Sequence, residues 1–204
     1  MSKKFIWMVV MMSVCLIASN LFETKIFAAG PLTLTGGLLI FPISYILNDC
    51  VTEVYGFRNA RFAIFTAMVM NIFVVGLAQV VRILPPAAFW DGQQAFDYIF
   101  AADLRIPVAS MAAFLCGSLV NAGIMDKMKR SSCDGRGFGW RAIASTLAGE
   151  SIDSIVFFPI AFMGVGTRNM LLMMVTQIVL KTLYEILILP VTASVVQWLR
   201  NNPD

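Results

Sequence analysis

Glu150 and Asp153 stand three positions apart in an apolar stretch, between Thr146 and Ser154, and a second apolar stretch carries Gln177, Lys181, Tyr184 and Glu185. Steps of three and four put each set on one face of a helix. A third group, Asn48, Asp49, Thr52 and Glu53, lies between Ser44 and Tyr55, again as turn-spaced pairs. Ser19, Asn20 and Glu23 make a fourth. Carboxylates, amides, a phenol and an ammonium in this pattern can hold a small polar solute or carry a proton. The chain has no histidine, which excludes Ser-His-Asp and Cys-His catalysis and the His-containing zinc sites. Its four cysteines, Cys15, Cys50, Cys116 and Cys133, form no CxxC pair and read as small polarizable core residues. No catalytic residue, metal or cofactor is expected.

Composition dictates the elements that must position these groups. Of 204 residues, 59% are hydrophobic and 13% charged, about half the charge of a soluble domain, which carries about 25%. A cytosolic enzyme, a disordered linker and a nucleic-acid binder are excluded, and the expected partner is the lipid bilayer. A spanning helix needs about 20 mostly apolar residues, and six stretches qualify: 5–29, 32–55, 62–84, 106–125, 143–165 and 171–199. The expected fold is therefore all-α, a polytopic membrane protein of six transmembrane helices in a single domain, 1–204. Lys3 and Lys4 before an apolar run resemble the start of a signal peptide, but Glu23 and Lys25 fall where a cleavage region should be, so a retained helix is expected.

Orientation follows from the basic residues of the loops. With the N-terminus inside, ten lie on the cytoplasmic side (Lys3, Lys4, Arg58, Arg61, Lys127, Lys129, Arg130, Arg136, Arg141 and Arg200) and three outside (Arg82, Arg105 and Arg168), with Lys25 and Lys181 within spans. Both termini are therefore expected in the cytoplasm. The outer connection from Pro85 to Arg105 carries Asp91, Asp97 and Asp103 among Phe89, Trp90, Phe96, Tyr98 and Phe100, which suits a short helix in the membrane interface. The basic inner connection from Asp126 to Arg141 suits contact with anionic lipid.

A charged side chain near the bilayer centre costs about 2.5 to 3.5 kcal/mol on insertion scales. Glu150, Asp153, Lys181 and Glu185 offer one cation for three carboxylates. Either some hold a proton or they face a wet cavity that accepts a ligand, and both point to a transport path. Asn71, Ser118 and Asn121 read instead as interhelical hydrogen bonds. Pro42 below Gly36 and Gly37 invites a kink or break, tolerated in a membrane only where protein or a cavity covers the backbone. Paired carboxylates complement adjacent N–H and amino donors of a planar heterocycle, on which Tyr45, Tyr184, Phe157 or Trp140 could stack. A cation, an amine or a proton suits the same acids.

Four strings go further. Ser19-Asn20-Leu21, the run Asn48-Asp49-Cys50-Val51-Thr52-Glu53-Val54-Tyr55-Gly56, the run from Arg141 to Ser154, and Lys181-Thr182-Leu183-Tyr184-Glu185 together resemble the queuosine precursor transporter family, also grouped as vitamin uptake transporters. The resemblance covers nearly the whole chain in the same order. It implies uptake of 7-deazaguanine bases, the cyano and aminomethyl precursors of queuosine in transfer RNA, across the bacterial inner membrane. It further implies that Glu150 and Asp153 grip the donor edge of the base, that Lys181, Tyr184 and Glu185 form the opposite wall, and that Asn20, Asn48, Asp49 and Glu53 complete or gate the path. A secondary transporter coupled to a proton or another cation is expected, with a candidate 3+3 inverted repeat relating Asp49-Glu53 to Glu150-Asp153. The competing readings are a substrate-capturing subunit of an ATP-driven vitamin-type importer and an intramembrane aspartyl protease. This sequence has no Gly-x-Gly-Asp string, which counts against the protease.

Overall fold

A computed structural model describes residues 2–29, 32–100, 105–131, 137–161, 163 and 167–202. Its elements are α1 (Lys3–Phe22), an antiparallel hairpin of β1 (Ile26–Ala29) and β2 (Leu32–Thr35), a 3-10 turn over Gly36–Leu39, α2 (Phe41–Tyr55), α3 (Phe57–Arg82), α4 (Gln93–Phe100), α5 (Arg105–Ser131), α6 (Phe138–Ala161) and α7 (Thr167–Asn201). Among the described residues six helices are long and apolar enough to cross a membrane. The protein is an α-helical, multi-pass membrane protein.

The boundaries differ from the sequence reading where apolarity was taken for helix. α1 ends at Phe22, and the stretch expected to continue to Ala29 forms a strand that pairs Ile26 with Thr35 and Ala29 with Leu32. A short apolar run suits a strand as well as a helix. Lys25 consequently lies beyond the span and is exposed. Pro42 does not kink a helix; it occupies the first turn of α2, where its missing N–H costs nothing. Gly56, at φ 82°, makes the sharp link from α2 to α3 that a residue with a Cβ would resist. In the outer connection α4 forms as expected, its register fixed by Gln79 Nε2 donating to the Phe100 carbonyl at 2.7 Å. Asp103, Cys133 and Arg136 lie outside the described residues. Cys15 and Cys50 are buried, whereas Cys116 faces outward.

Small residues bring the helices together, as membrane packing requires. Ala60, Ala63 and Ala67 of α3 are fully buried in a cluster with Met12 and Leu16 of α1. The closest approach is between α5 and α6. A Cβ on Gly117 would sit 2.8 Å from the Gly149 carbonyl oxygen and 2.3 Å from the Tyr45 hydroxyl, and one on Gly149 would sit 2.8 Å from the Asn121 Cβ. This backbone contact sets the depth and rotation of α6, and so of Glu150. The outward faces of α3 and α7 stay apolar, with Phe73, Val80, Leu172, Leu187 and Val191 exposed. Lys4 Nζ donates to the carbonyl of Asn202, so the two ends of the described chain meet at one end of the bundle.

Candidate functional site

With the end of the bundle where Lys4 meets Asn202 called inner, Lys181, on α7, is the centre of the outer polar layer. Its Nζ lies 2.8 Å from Glu150 Oε2 and 3.3 Å from Asp153 Oδ2, both on α6, and 4.0 Å from the centroid of the Phe41 ring on α2. The i, i+3 spacing on α6 lets one ammonium bridge both acids. All three side chains are buried, a geometry in which charges persist only when paired. Next to them is a cavity of about 20 Å³ lined by Glu23, Phe41, Ser110, Asp153, Phe157 and Gln177, with Lys181 at its wall. That is room for a single water. A two-ring base does not fit unless α1 and α2 separate from α6 and α7.

A middle layer lies one turn further in. Asp49 of α2 and Glu185 of α7 are both buried, with their carboxyls near enough to act on each other. Thr146 Oγ1 donates to Asp49 Oδ2 at 3.5 Å and accepts from Asn121 Nδ2 at 3.1 Å. Asn48 Nδ2 donates to the Ser118 carbonyl at 3.1 Å and holds α2 on α5.

The inner layer centres on Glu53. Arg141 Nη2 bonds its Oε1 at 2.8 Å, Arg200 bonds the same oxygen, and Lys129 donates to its backbone carbonyl. Four helices, α2, α5, α6 and α7, are tied at the end that also holds both termini.

The sequence profile of the family described as "Putative vitamin uptake transporter" matches residues 35–195, a stretch that contains all three layers apart from α1, Glu23 and Arg200. The chain belongs to that family. Among curated relatives, the "Probable queuosine precursor transporter" of Haemophilus influenzae is 27% identical over 129 residues, 63% of this chain and 52% of the relative. The "Queuosine precursor transporter" of Escherichia coli is 27% identical over 128 residues, 63% of this chain and 55% of the relative. The Bacillus subtilis "Probable queuosine precursor transporter" is 24% identical over 149 residues, 73% of this chain and 65% of the relative. The chain thus spans between half and two thirds of the length of the curated relatives it matches. No solved structure matches.

Within this member of the uptake family, the residues singled out from sequence fall into separate places. Asp153 and Lys181 line the cavity, and Glu150 joins them through Lys181. Asp49 and Glu185 form their own pair, and Glu53 is held by arginines at the inner end. Asn20 joins helices: its Nδ2 donates to Asn71 Oδ1 at 3.0 Å and its Oδ1 accepts from Ser110 at 2.8 Å. Tyr184 is half-buried and does not line the cavity, and Trp140, considered for stacking, is 69% exposed. Phe157 does line it, opposite Phe41. Glu23, Gln177, Phe41 and Ser110 were missing from the predicted site. The signal for two of them was there: Glu23 follows Ser19, and Gln177 precedes Lys181, by one turn each.

Proposed function

We propose that the protein is a membrane transporter that imports queuosine precursors, 7-deazaguanine bases, across the bacterial inner membrane, with both termini in the cytoplasm. The observation that carries this reading is the Lys181–Glu150–Asp153 cluster beside a cavity that also holds Glu23 and Gln177. The adjacent ring N–H and amino group of a guanine-type edge can replace the Lys181 ammonium on a carboxylate, donor for donor. Lys181 then acts as a stand-in donor that keeps the acids neutralised until a substrate takes over. Phe41 and Phe157 supply apolar faces for the ring system, and the acid excess suits the positive charge of the aminomethyl precursor. The names of the relatives support the substrate class, and the gathering of both termini with Lys4, Arg141 and Arg200 at one end supports the orientation.

The experiment is rescue of queuosine in transfer RNA. In cells unable to make the precursors, expression of this protein alone should restore queuosine at low external deazaguanine, and Asp153→Asn should abolish the rescue. Rescue that requires an added ATPase complex would assign the protein instead as the capture subunit of an ATP-driven importer. No rescue under either condition would end the substrate assignment.

A further inference from the structure

Asp49 and Glu185 take no part in the Lys181 cluster, yet both are fully enclosed, at 0% and 2% exposure. They come from different helices, α2 and α7, which pack on each other, and the two carboxyls are close enough for each to act on the other. Asp49 Oδ1 and both Glu185 oxygens accept no hydrogen bond from any protein donor among the described residues. The donors nearby, the Thr146 hydroxyl and the Asn121 amide, are both uncharged, and Thr146 has a single proton, directed at Asp49 Oδ2. The surrounding titratable groups do not supply a counter-charge. On α2 they are Tyr45 and Cys50, on α6 Glu150, and on α7 Lys181, which is already shared by Glu150 and Asp153. From α5 the neighbour is the uncharged Asn121. One turn inward, Glu53 is held by Arg141 and Arg200. Two bare carboxylates cannot sit in contact in such a place. A metal is not indicated, since among the described residues no three His, Cys, Asp or Glu side chains are grouped to hold one.

We propose that Asp49 and Glu185 bind one proton between them, and that this pair is the coupling site of the transport cycle. The proposal rests on the transport reading above. It gives the seam between α2 and α7 two states. With the proton, an O–H···O⁻ hydrogen bond ties the helices at mid-depth. When the proton leaves toward the inner end, two like charges face each other across the contact and drive it apart. The Glu53–Arg200 pair, also between α2 and α7, closes the same seam further in, so emptying the site strains the contact that a base must pass to reach the cytoplasm. The carboxyls form a descending series through the bundle, from Glu23 through Asp153 and Glu150 to Glu185 with Asp49, which gives the proton a route from the outer cavity. The step is a proton transfer alone, with entry from the outer side and release to the inner side.

The test uses the purified full chain in proteoliposomes, with 7-cyano-7-deazaguanine as the probe and two readouts. In the infrared at neutral pH, a band of a protonated, water-shielded carboxyl should be present and should be lost or displaced in both Asp49→Asn and Glu185→Gln. With a pH-sensitive dye inside the vesicles, entry of the precursor should acidify the lumen for the native protein and should cease to do so in each variant. A carboxyl band unchanged by both substitutions, or precursor entry without proton entry in the native protein, would overturn the proposal. So would undiminished proton entry in both variants. If the native protein moves no deazaguanine while its carboxyl band still responds to both substitutions, the shared proton stands and the substrate assignment fails.

Discussion

Two buried ion clusters at opposite depths of the same bundle have opposite balances. Around Lys181 one ammonium serves two carboxylates, with the third acid, Glu23, across a small cavity. Around Glu53 three basic side chains, Lys129, Arg141 and Arg200, converge on a single acidic residue. The outer cluster leaves acceptor capacity over and can take on a donor-rich or cationic solute. In the inner cluster cations outnumber the acid, so its role is to hold four helices together at the end proposed to face the cytoplasm. On the proposed reading equal burial of charge serves binding in one place and closure in the other, and the cation-to-acid ratio separates the two.

Substitutions should break this contrast in a set order. Lys181→Ala leaves Glu150 and Asp153 buried against each other, and loss of one partner of a buried pair costs about 3–5 kcal/mol. Thermal unfolding in detergent should show the largest drop of the series, and uptake should vanish. Adding Glu150→Gln and Asp153→Asn to Lys181→Ala should recover most of the lost stability and none of the uptake, which separates fold from function at this cluster. Next comes Glu53→Gln, which weakens charge-assisted hydrogen bonds worth about 1.5–3 kcal/mol. It should lower unfolding temperature while leaving precursor affinity near the native value. Gly149→Ala, adjacent to Glu150, inserts a methyl group against the α5 backbone, and overpacking costs about 1–3 kcal/mol. Because it displaces α6, it should weaken precursor binding as well as stability, unlike the change at Glu53. The smallest effect is expected for Arg200→Ala. Its side chain is 42% exposed, and such pairs contribute up to about 1 kcal/mol, so its unfolding temperature should barely move.

The contrast was half legible in the sequence. Six apolar stretches and the acid stripe of Glu150 and Asp153 could be read directly, because hydrocarbon enforces helix and helical spacing fixes a face. The end of α1 could not, since the run through Ile26–Ala29 is apolar whether it is helix or strand. Treating Glu53 as part of the substrate path failed to separate it from Asp49 because both lie on the polar face of α2. Only the third dimension brings Arg141 and Arg200, far apart in the chain, onto one of them and Glu185 onto the other. Tyr184 lies one turn from Lys181 in sequence, yet it is only half-buried and does not line the cavity. Glu23, the C-cap of α1, shares a cavity with Lys181 despite the length of chain between them.

The central claim is that the acids at Lys181 grip the donor edge of a deazaguanine base, and direct binding tests it. Labelled precursor should bind the purified native protein and the Arg200→Ala variant with similar affinity. Asp153→Asn should bind about ten- to hundredfold more weakly, the loss of a charge-assisted hydrogen bond of about 1.5–3 kcal/mol. An unchanged affinity in Asp153→Asn, beside intact binding by the native protein, would contradict the account and move the site elsewhere.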